Sequence, residues 1–426
     1  MVSINKYGSW DEVIPSIDDH SKIKHKIYSE YIVAYVKTIM SNYVIPKIEF
    51  SIVDGFCGGG VYTDQNNEQY DGSPIVLIDA VNKARIEVNV ERINERKVVA
   101  NYYFIDKDKT AIDMLQKQLD YKKDINFHYS QDVSRSDLSN GIFSELLDAT
   151  ITKIKNTKSS GKALFFLDQY GYSAVKICDI IKILNSMQKS EVILTFNISS
   201  MYTYFSDKDE FSRALRNLGI YEEIDWDLYK IIRQDKRQVR RFIQKEISRA
   251  IKKAAKAKFM TLFFIKPQSS KDWGYWLIHL TNEYKAHDVM KTLHWNNATY
   301  FGHELEHGLF EFGYETAKDI DIVGNSGLLD FEFDFGPQSR SSCVESLHED
   351  FGKFIYTQDS ISVEDLFYKS ISNTPASEVH LQESIKRLHQ EKSVSIQNED
   401  GKSRRPSKNY KKSDVIIPSR QLILIK

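Results

Sequence analysis

One stretch constrains this chain more than any other: Phe50-Ser51-Ile52-Val53-Asp54-Gly55-Phe56-Cys57-Gly58-Gly59-Gly60. An apolar run ends in an acid and breaks at once into glycines. The run reads as a buried strand, and the glycines let the backbone turn sharply and approach a ligand closely. Nucleotide-binding α/β domains open this way, although plain strand-to-helix turns use glycine too. A GxGxxG reading from Gly58 and Gly60 would need glycine at position 63, where Thr63 stands, so a dinucleotide loop fits poorly.

Strands and helices alternate around this loop. Residues 21–41 carry Ile23, Ile27, Tyr31, Ala34 and Val36 near helical spacing, ahead of a strand at 47–53. Ser73 as N-cap and Pro74 in the first turn predict a helix after the loop. Further strands are predicted at 98–105, 125–129, 163–167 and 192–196. They end at or near Asp106, Asp132, Asp168 and Asn197. Such alternation makes βαβ units and a parallel sheet, whose carboxyl edge binds ligands. A basic helix over 225–258 leads to strands at 260–265 and 276–280, joined too closely to be parallel. The expected fold is therefore α/β: a Rossmann-like sheet of five parallel strands closed by a late antiparallel hairpin, the class I methyltransferase arrangement.

The expected division is a helical extension over 1–45, the sheet domain over 46–300 with the basic insert, and irregular structure over 301–360. In that last stretch 330–335 suits an edge strand, broken by Gly336-Pro337-Gln338-Ser339. Residues 361–426 read as helix, helix, strand, basic loop and strand, a winged-helix-like unit. With 426 residues, 41% hydrophobic and 27% charged, the chain has material for two or three ordinary globular domains. The net charge of -1 leaves any nucleic-acid site to local patches. Cys57, Cys178 and Cys343 lie far apart, without metal or disulfide spacing, which suits a reducing cytoplasm. Trp10, Asp11, Glu12, Asp18 and Asp19 stand where a signal peptide would be apolar, and no apolar run reaches a membrane span.

The spacing Asp-x-Phe-x-Gly-x-Gly resembles the first motif of S-adenosylmethionine (SAM) dependent methyltransferases. More of the chain resembles the three-Cys-motif partner protein (TcmP) family. The matching words are Asp54 to Gly60, Gly72-Ser73-Pro74 and Leu167-Asp168-Gln169-Tyr170-Gly171. Weaker matches are Lys24-His25 and Leu277 to Asn282 followed by Met290 and Trp295. Gly59 and Gln169 stand where that family usually has proline. The resemblance implies a methyltransferase-like fold, SAM as cofactor and a three-cysteine, radical-SAM-like protein as partner.

On this reading Gly58 and Gly60 form the SAM loop, and Asp54 orients it or meets the amino end of the methionine. Phe56 packs beneath it. Asp106 would accept hydrogen bonds from the ribose hydroxyls, as the equivalent acid does in dinucleotide sites, and Asp132 would meet the adenine amine. Asp168 and Tyr170 would face the substrate: the carboxylate accepts from a target amine and the ring holds a planar base. The alternative for Asp106 is a helix cap or an exposed aspartate, and for Asp168 a structural acid near a closed pocket.

Two other patterns compete. His303-Glu304-Leu305-Glu306-His307 spells HExxH, the zinc-hydrolase pattern. Gly302 and Gly308 bracket it, however, and no third ligand follows at the metzincin spacing. Basic stripes suit backbone phosphates. One contains Arg237, Arg240, Arg241 and Lys245; the other contains Arg404 and Arg405 on the wing. The leading expectation is a SAM-dependent methyltransferase-like protein working on or with nucleic acid. The alternatives are a catalytically inactive adaptor of the same fold and a zinc hydrolase.

Overall fold

The computed structural model describes residues 10, 13–64, 66–125, 127–159, 161–169, 174–198, 201, 205–206, 209–265, 275–297 and 336–419. They belong to two compact units, Met1–Leu293 and His294–Lys426.

In chain order the first unit's strands are β1 (Lys47–Asp54), the short pair β2 (Val61–Thr63) and β3 (Gln69–Asp71), β4 (Lys97–Asp106), β5 (Ser136–Asn140), β6 (Ala163–Leu167), β7 (Ser190–Asn197), β8 (Phe259–Ile265) and β9 (Tyr275–Thr281). Seven of them form one sheet in the order β5-β4-β1-β6-β7-β9-β8. β5, β4, β1, β6 and β7 are parallel, and β9 runs antiparallel to both β7 and β8. The central strands β6 and β7 are buried at every residue, as a sheet covered on both faces requires. That burial is why Ala163–Leu167 reads so clearly as an unbroken apolar run.

The edge strand is different. The third parallel strand is not at 125–129: α-helix occupies Phe127–Val133, and β5 follows at Ser136–Asn140. β5 is half-buried and holds a single apolar residue, Leu138, so it leaves little hydrophobic signal.

The helix Asp19–Ile39 (α1) packs on the sheet. It buries Ile27, Tyr28, Tyr31, Ile32 and Val36. Each fully buried large side chain contributes roughly 1.5–3 kcal/mol by leaving water. Beneath α1 the Tyr31 hydroxyl donates to Glu191 of β7, and Glu191 Oε2 lies 2.8 Å from His279 Nε2 of β9. Five further helices alternate with the strands: α2 (Ser73–Asn89), α3 (Lys109–Ile125), α4 (Phe127–Val133), α5 (Phe143–Lys155) and α6 (Ile177–Ser186). The expected single basic helix is two, Trp226–Ile232 and Lys236–Ala255. Asp235 separates them: its carboxylate accepts from the Gln238 amide at 3.3 Å and so starts a new helix.

In the second unit Gly336 and Pro337 start the helix Pro337–Tyr356, with proline at its first turn. That helix lies within the stretch expected to be irregular; 330–335 fall outside the described residues. The strands β10 (Ile361–Ser362), β11 (Val394–Gln397) and β12 (Val415–Pro418) form an antiparallel sheet in the order β10-β12-β11. Helices Val363–Ser370 and Glu378–Gln390 lie between β10 and β11. Three helices, a three-stranded sheet and a long loop before β12 make a winged helix.

Candidate cofactor and acceptor site

The carboxyl ends of β1, β4 and β6 bring Asp54, Asp106 and Asp168 to one edge. Gly58 and Gly60 adopt φ of +60° and +73°, where a side chain would be strained. A Cβ on Gly60 would also stand 2.7 Å from Leu115 Cδ1, and one on Gly59 would run into the indole of Trp10. Trp10 packs with Val61 and Ala111, and edge-on to Tyr62 with ring centroids 5.2 Å apart. That indole occupies the space beside Gly59.

Two acids hold the loop. Asp54 Oδ1 accepts from the Phe56 amide at 3.2 Å, and its Oδ2 accepts from the Ser73 hydroxyl at 2.6 Å. The turn is thereby tied to the start of α2. Burial pushes the Asp54 carboxyl up to about 7; Ser73 and the Phe56 amide oppose this, while Asp168 and Asp106 add to it. Asp106 Oδ2 accepts from the Gly58 amide and its Oδ1 from the Asp108 amide, both at 2.9 Å. Burial raises its carboxyl as well, against those two hydrogen bonds. A left-handed glycine turn beside an acid at the next strand's end suits a ribose-bearing ligand. These residues would fit SAM: the turn leaves a ligand only backbone to approach, and Asp54 and Asp106 stand beside it as acceptors.

At the end of β6, Asp168 Oδ2 lies 2.5 Å from Lys24 Nζ of α1. The Lys24 side chain is 4% exposed and that of Asp168 26%. Burial pushes the Asp168 carboxyl up, but the Lys24 ammonium and its hydrogen bond outweigh it and hold the group below its usual range. His20 stacks on Tyr275 with centroids 4.4 Å apart, and His25 on Tyr70 at 6.0 Å. Burial, then the Lys24 ammonium, lowers both imidazoles to about 4, so both are neutral at pH 7. Trp10, His20, Tyr62 and Thr195 carry no motif signal; proximity in the fold alone recruits them.

Asp132 is elsewhere. It lies on α4, before β5 and therefore at the opposite edge of the sheet from the glycine loop. Arg85 grips it with two hydrogen bonds of 2.6 and 2.7 Å, and the Tyr102 hydroxyl donates at 3.1 Å. Its carboxylate is buried and already accepts these three hydrogen bonds. Phe56 is only part-buried and packs against Phe143 of α5, centroids 6.0 Å apart. Gln169 is buried, and its Oε1 accepts from the Val175 amide at 2.9 Å. Tyr170 and the HELEH pentad His303 to His307 lie outside the described residues. Among the described residues no group of three or more His, Cys, Asp or Glu is placed to hold a metal. No described helix is long and apolar enough to cross a membrane.

Arg237, Arg240, Arg241 and Lys245 all belong to the helix Lys236–Ala255; their side chains are outside the described set. On the same helix Arg249 is paired with Glu246 at 2.6 Å, and Lys253 with Glu223 at 2.7 Å. On the wing, Lys402, Arg405, Lys408 and Lys411 are exposed. Arg404 is not equivalent to them: its Nε sits 2.8 Å from Oδ1 of fully buried Asp414, though not aligned as a linear hydrogen bond. Arg404→Ala should therefore lower the stability of the winged helix by about 3 kcal/mol in denaturant unfolding, because it leaves a buried charge unpaired. Arg405→Ala should change stability by less than about 0.5 kcal/mol.

The strand order with its single reversed strand defines a class I methyltransferase-type fold, joined in one chain to a winged helix. Residues 313–401 match the family described as the GMT-like wHTH domain. Comparison with curated proteins finds no match. Solved structures similar to this chain include the bifunctional kinase-methyltransferase WbdD, at 10% identity and a TM-score of 0.31; the match covers 61% of this chain and 39% of that one. Trm1 from Pyrococcus horikoshii, solved with SAM, is 12% identical over 79% of this chain and 75% of its own, with a TM-score of 0.27. The plantazolicin methyltransferase BamL is 11% identical over 62% of this chain and 90% of its own, with a TM-score of 0.25. The fold assignment rests on the strand order and not on these scores.

Proposed function

We propose that this protein is a SAM-dependent methyltransferase of the three-Cys-motif partner type that works in the cytoplasm on nucleic acid. The observation that carries the reading is the Asp106–Gly58 hydrogen bond. It sets an acid against a left-handed glycine turn at the sheet's carboxyl edge, where a ribose diol can replace the amide as donor. Asp54 supports the turn, and Asp168 lies beside it at the end of β6. Calorimetry with SAM and S-adenosylhomocysteine (SAH) tests this. Micromolar binding is expected, and Asp106→Ala should weaken it at least tenfold, about 1.4 kcal/mol or more. No binding to the wild-type protein would sink the proposal.

The exposed wing lysines and Arg405 support a nucleic-acid partner through its phosphates. Arg405→Ala should weaken binding about equally for all sequences and reduce the salt slope by about one. A second reading, an adaptor of the same fold without catalysis that serves a radical-SAM-like partner, is favoured by Gln169. Its side chain is buried and its Oε1 is taken by the Val175 amide. Labelled methyl transfer onto total RNA, DNA and protein separates the two.

A further inference from the structure

We propose that Lys24 and Asp168 act as one acceptor-binding dyad, and that the group they hold for methylation is a hydroxyl oxygen and not an exocyclic amine. The inference rests on the SAM-binding reading above and extends it to the methyl acceptor.

Lys24 comes from α1 and Asp168 from the end of β6, so two separate elements build the pair across the sheet edge. The ammonium and the carboxylate are 2.5 Å apart, and the lysine is almost wholly buried. Secluding such a pair costs hydration that its attraction only partly repays. α1 is already fastened by Tyr28, Tyr31 and their neighbours, so the pair is not needed to hold that helix down. What it adds is a donor next to an acceptor, with a quarter of the Asp168 side chain still open.

The hydrogen-bond inventory decides which acceptor fits. An exocyclic amine about to attack needs acceptors for two N–H groups and has no use for a donor near its lone pair. Asp168 already accepts from Lys24. The ammonium beside it would face the amine's own hydrogens or compete for its lone pair. A hydroxyl matches the pair atom for atom. One lone pair accepts from Lys24 Nζ, its hydrogen donates to Asp168, and the second lone pair stays free to attack.

The transfer then balances. The hydroxyl oxygen bonds to the methyl carbon as the carbon–sulfur bond breaks and its electron pair returns to sulfur. The hydroxyl proton passes to Asp168 and from there to water. Lys24 keeps its proton and stabilises the negative charge that builds on oxygen. Neutral His20 and His25 add no competing positive charge at pH 7.

Sinefungin tests the dyad without turnover, because its amine stands where SAM carries its methyl. Calorimetry would compare sinefungin with SAH on the wild-type protein, Lys24→Met and Asp168→Asn. The wild-type protein should bind sinefungin no tighter than SAH. Lys24→Met should strengthen sinefungin about tenfold while SAH changes less than about twofold, since the carboxylate is released to the amine. Asp168→Asn should weaken sinefungin by a similar factor. It is isosteric, so it carries the test alone if Lys24→Met fails to fold. A sinefungin-to-SAH ratio that neither variant moves overturns the dyad. So does a labelled methyl group recovered on nitrogen. Wild-type protein that takes neither ligand removes the SAM reading itself, and the dyad with it.

Discussion

Asp132→Ala should destabilise the first unit by about 3–5 kcal/mol, the range for breaking a buried ion pair. Three elements meet at this carboxylate. Arg85 of α2 donates to both oxygens, Tyr102 of β4 donates to one, and Asp132 itself is on α4. Removing it strands the Arg85 guanidinium, whose side chain is only 20% exposed. Arg85→Ala should cost at least as much, because it leaves the charge on the fully buried partner. Denaturant unfolding measures both. SAH affinity of the folded protein should stay within about twofold, since the site lies at the other edge of the sheet. Unchanged stability with weakened SAH binding would return Asp132 to the adenine site.

Asp54→Asn should have the opposite sign. The folded carboxyl titrates at about 7, against an ordinary value near 3.8. The folded protein therefore holds this proton more tightly than the unfolded chain. Stability contributed by Asp54 is fully present below about pH 4, falls as pH rises toward 7 and stays low above it. Three units correspond to at most about 4 kcal/mol. Asparagine keeps an acceptor for the Phe56 amide and a partner for Ser73 while removing the charge. The variant should be about 1–3 kcal/mol more stable at pH 8 and should lose most of the difference at pH 4. Under the proposed function it should also bind SAM at least tenfold more weakly, because the cation loses a nearby carboxylate. Unfolding curves at the two pH values decide this. A variant less stable than the wild-type protein at pH 8 would show that the charge is not a burden to the fold. Gain in stability with loss of ligand is the usual mark of a residue kept for a site.

Much of the scaffold is legible in the sequence. β1, β4, β6 and β7 are covered on both faces, so each is an apolar run closed by a polar residue. The late hairpin was legible from its short connection. The winged helix was legible from its order of elements, although its first helix was not. β5 was missed because an edge strand buries half its surface and needs few apolar residues. The neighbouring apolar residues at 125–129 drew the strand assignment away from it. Asp132 lies three residues past the expected strand, where an acid reads as a site residue; on a helix it instead accepts from Arg85 and Tyr102. The wing arginines were equivalent as letters, but Asp414 divides Arg404 from Arg405.

The sequence alone determined the kind of sheet and the edge where chemistry can occur, because local periodicity and glycine stereochemistry act over a few residues. It also placed Asp54, Asp106 and Asp168 at strand ends. What those acids touch was decided only in three dimensions. Lys24 is 144 residues from Asp168, and the helix that carries it lies before β1. Only burial of α1 on the sheet brings an ammonium to that carboxylate and changes what it can accept. The same packing sets Trp10 against Gly59. Contacts at such separations depend on where whole elements come to rest, and no spacing within either segment encodes them.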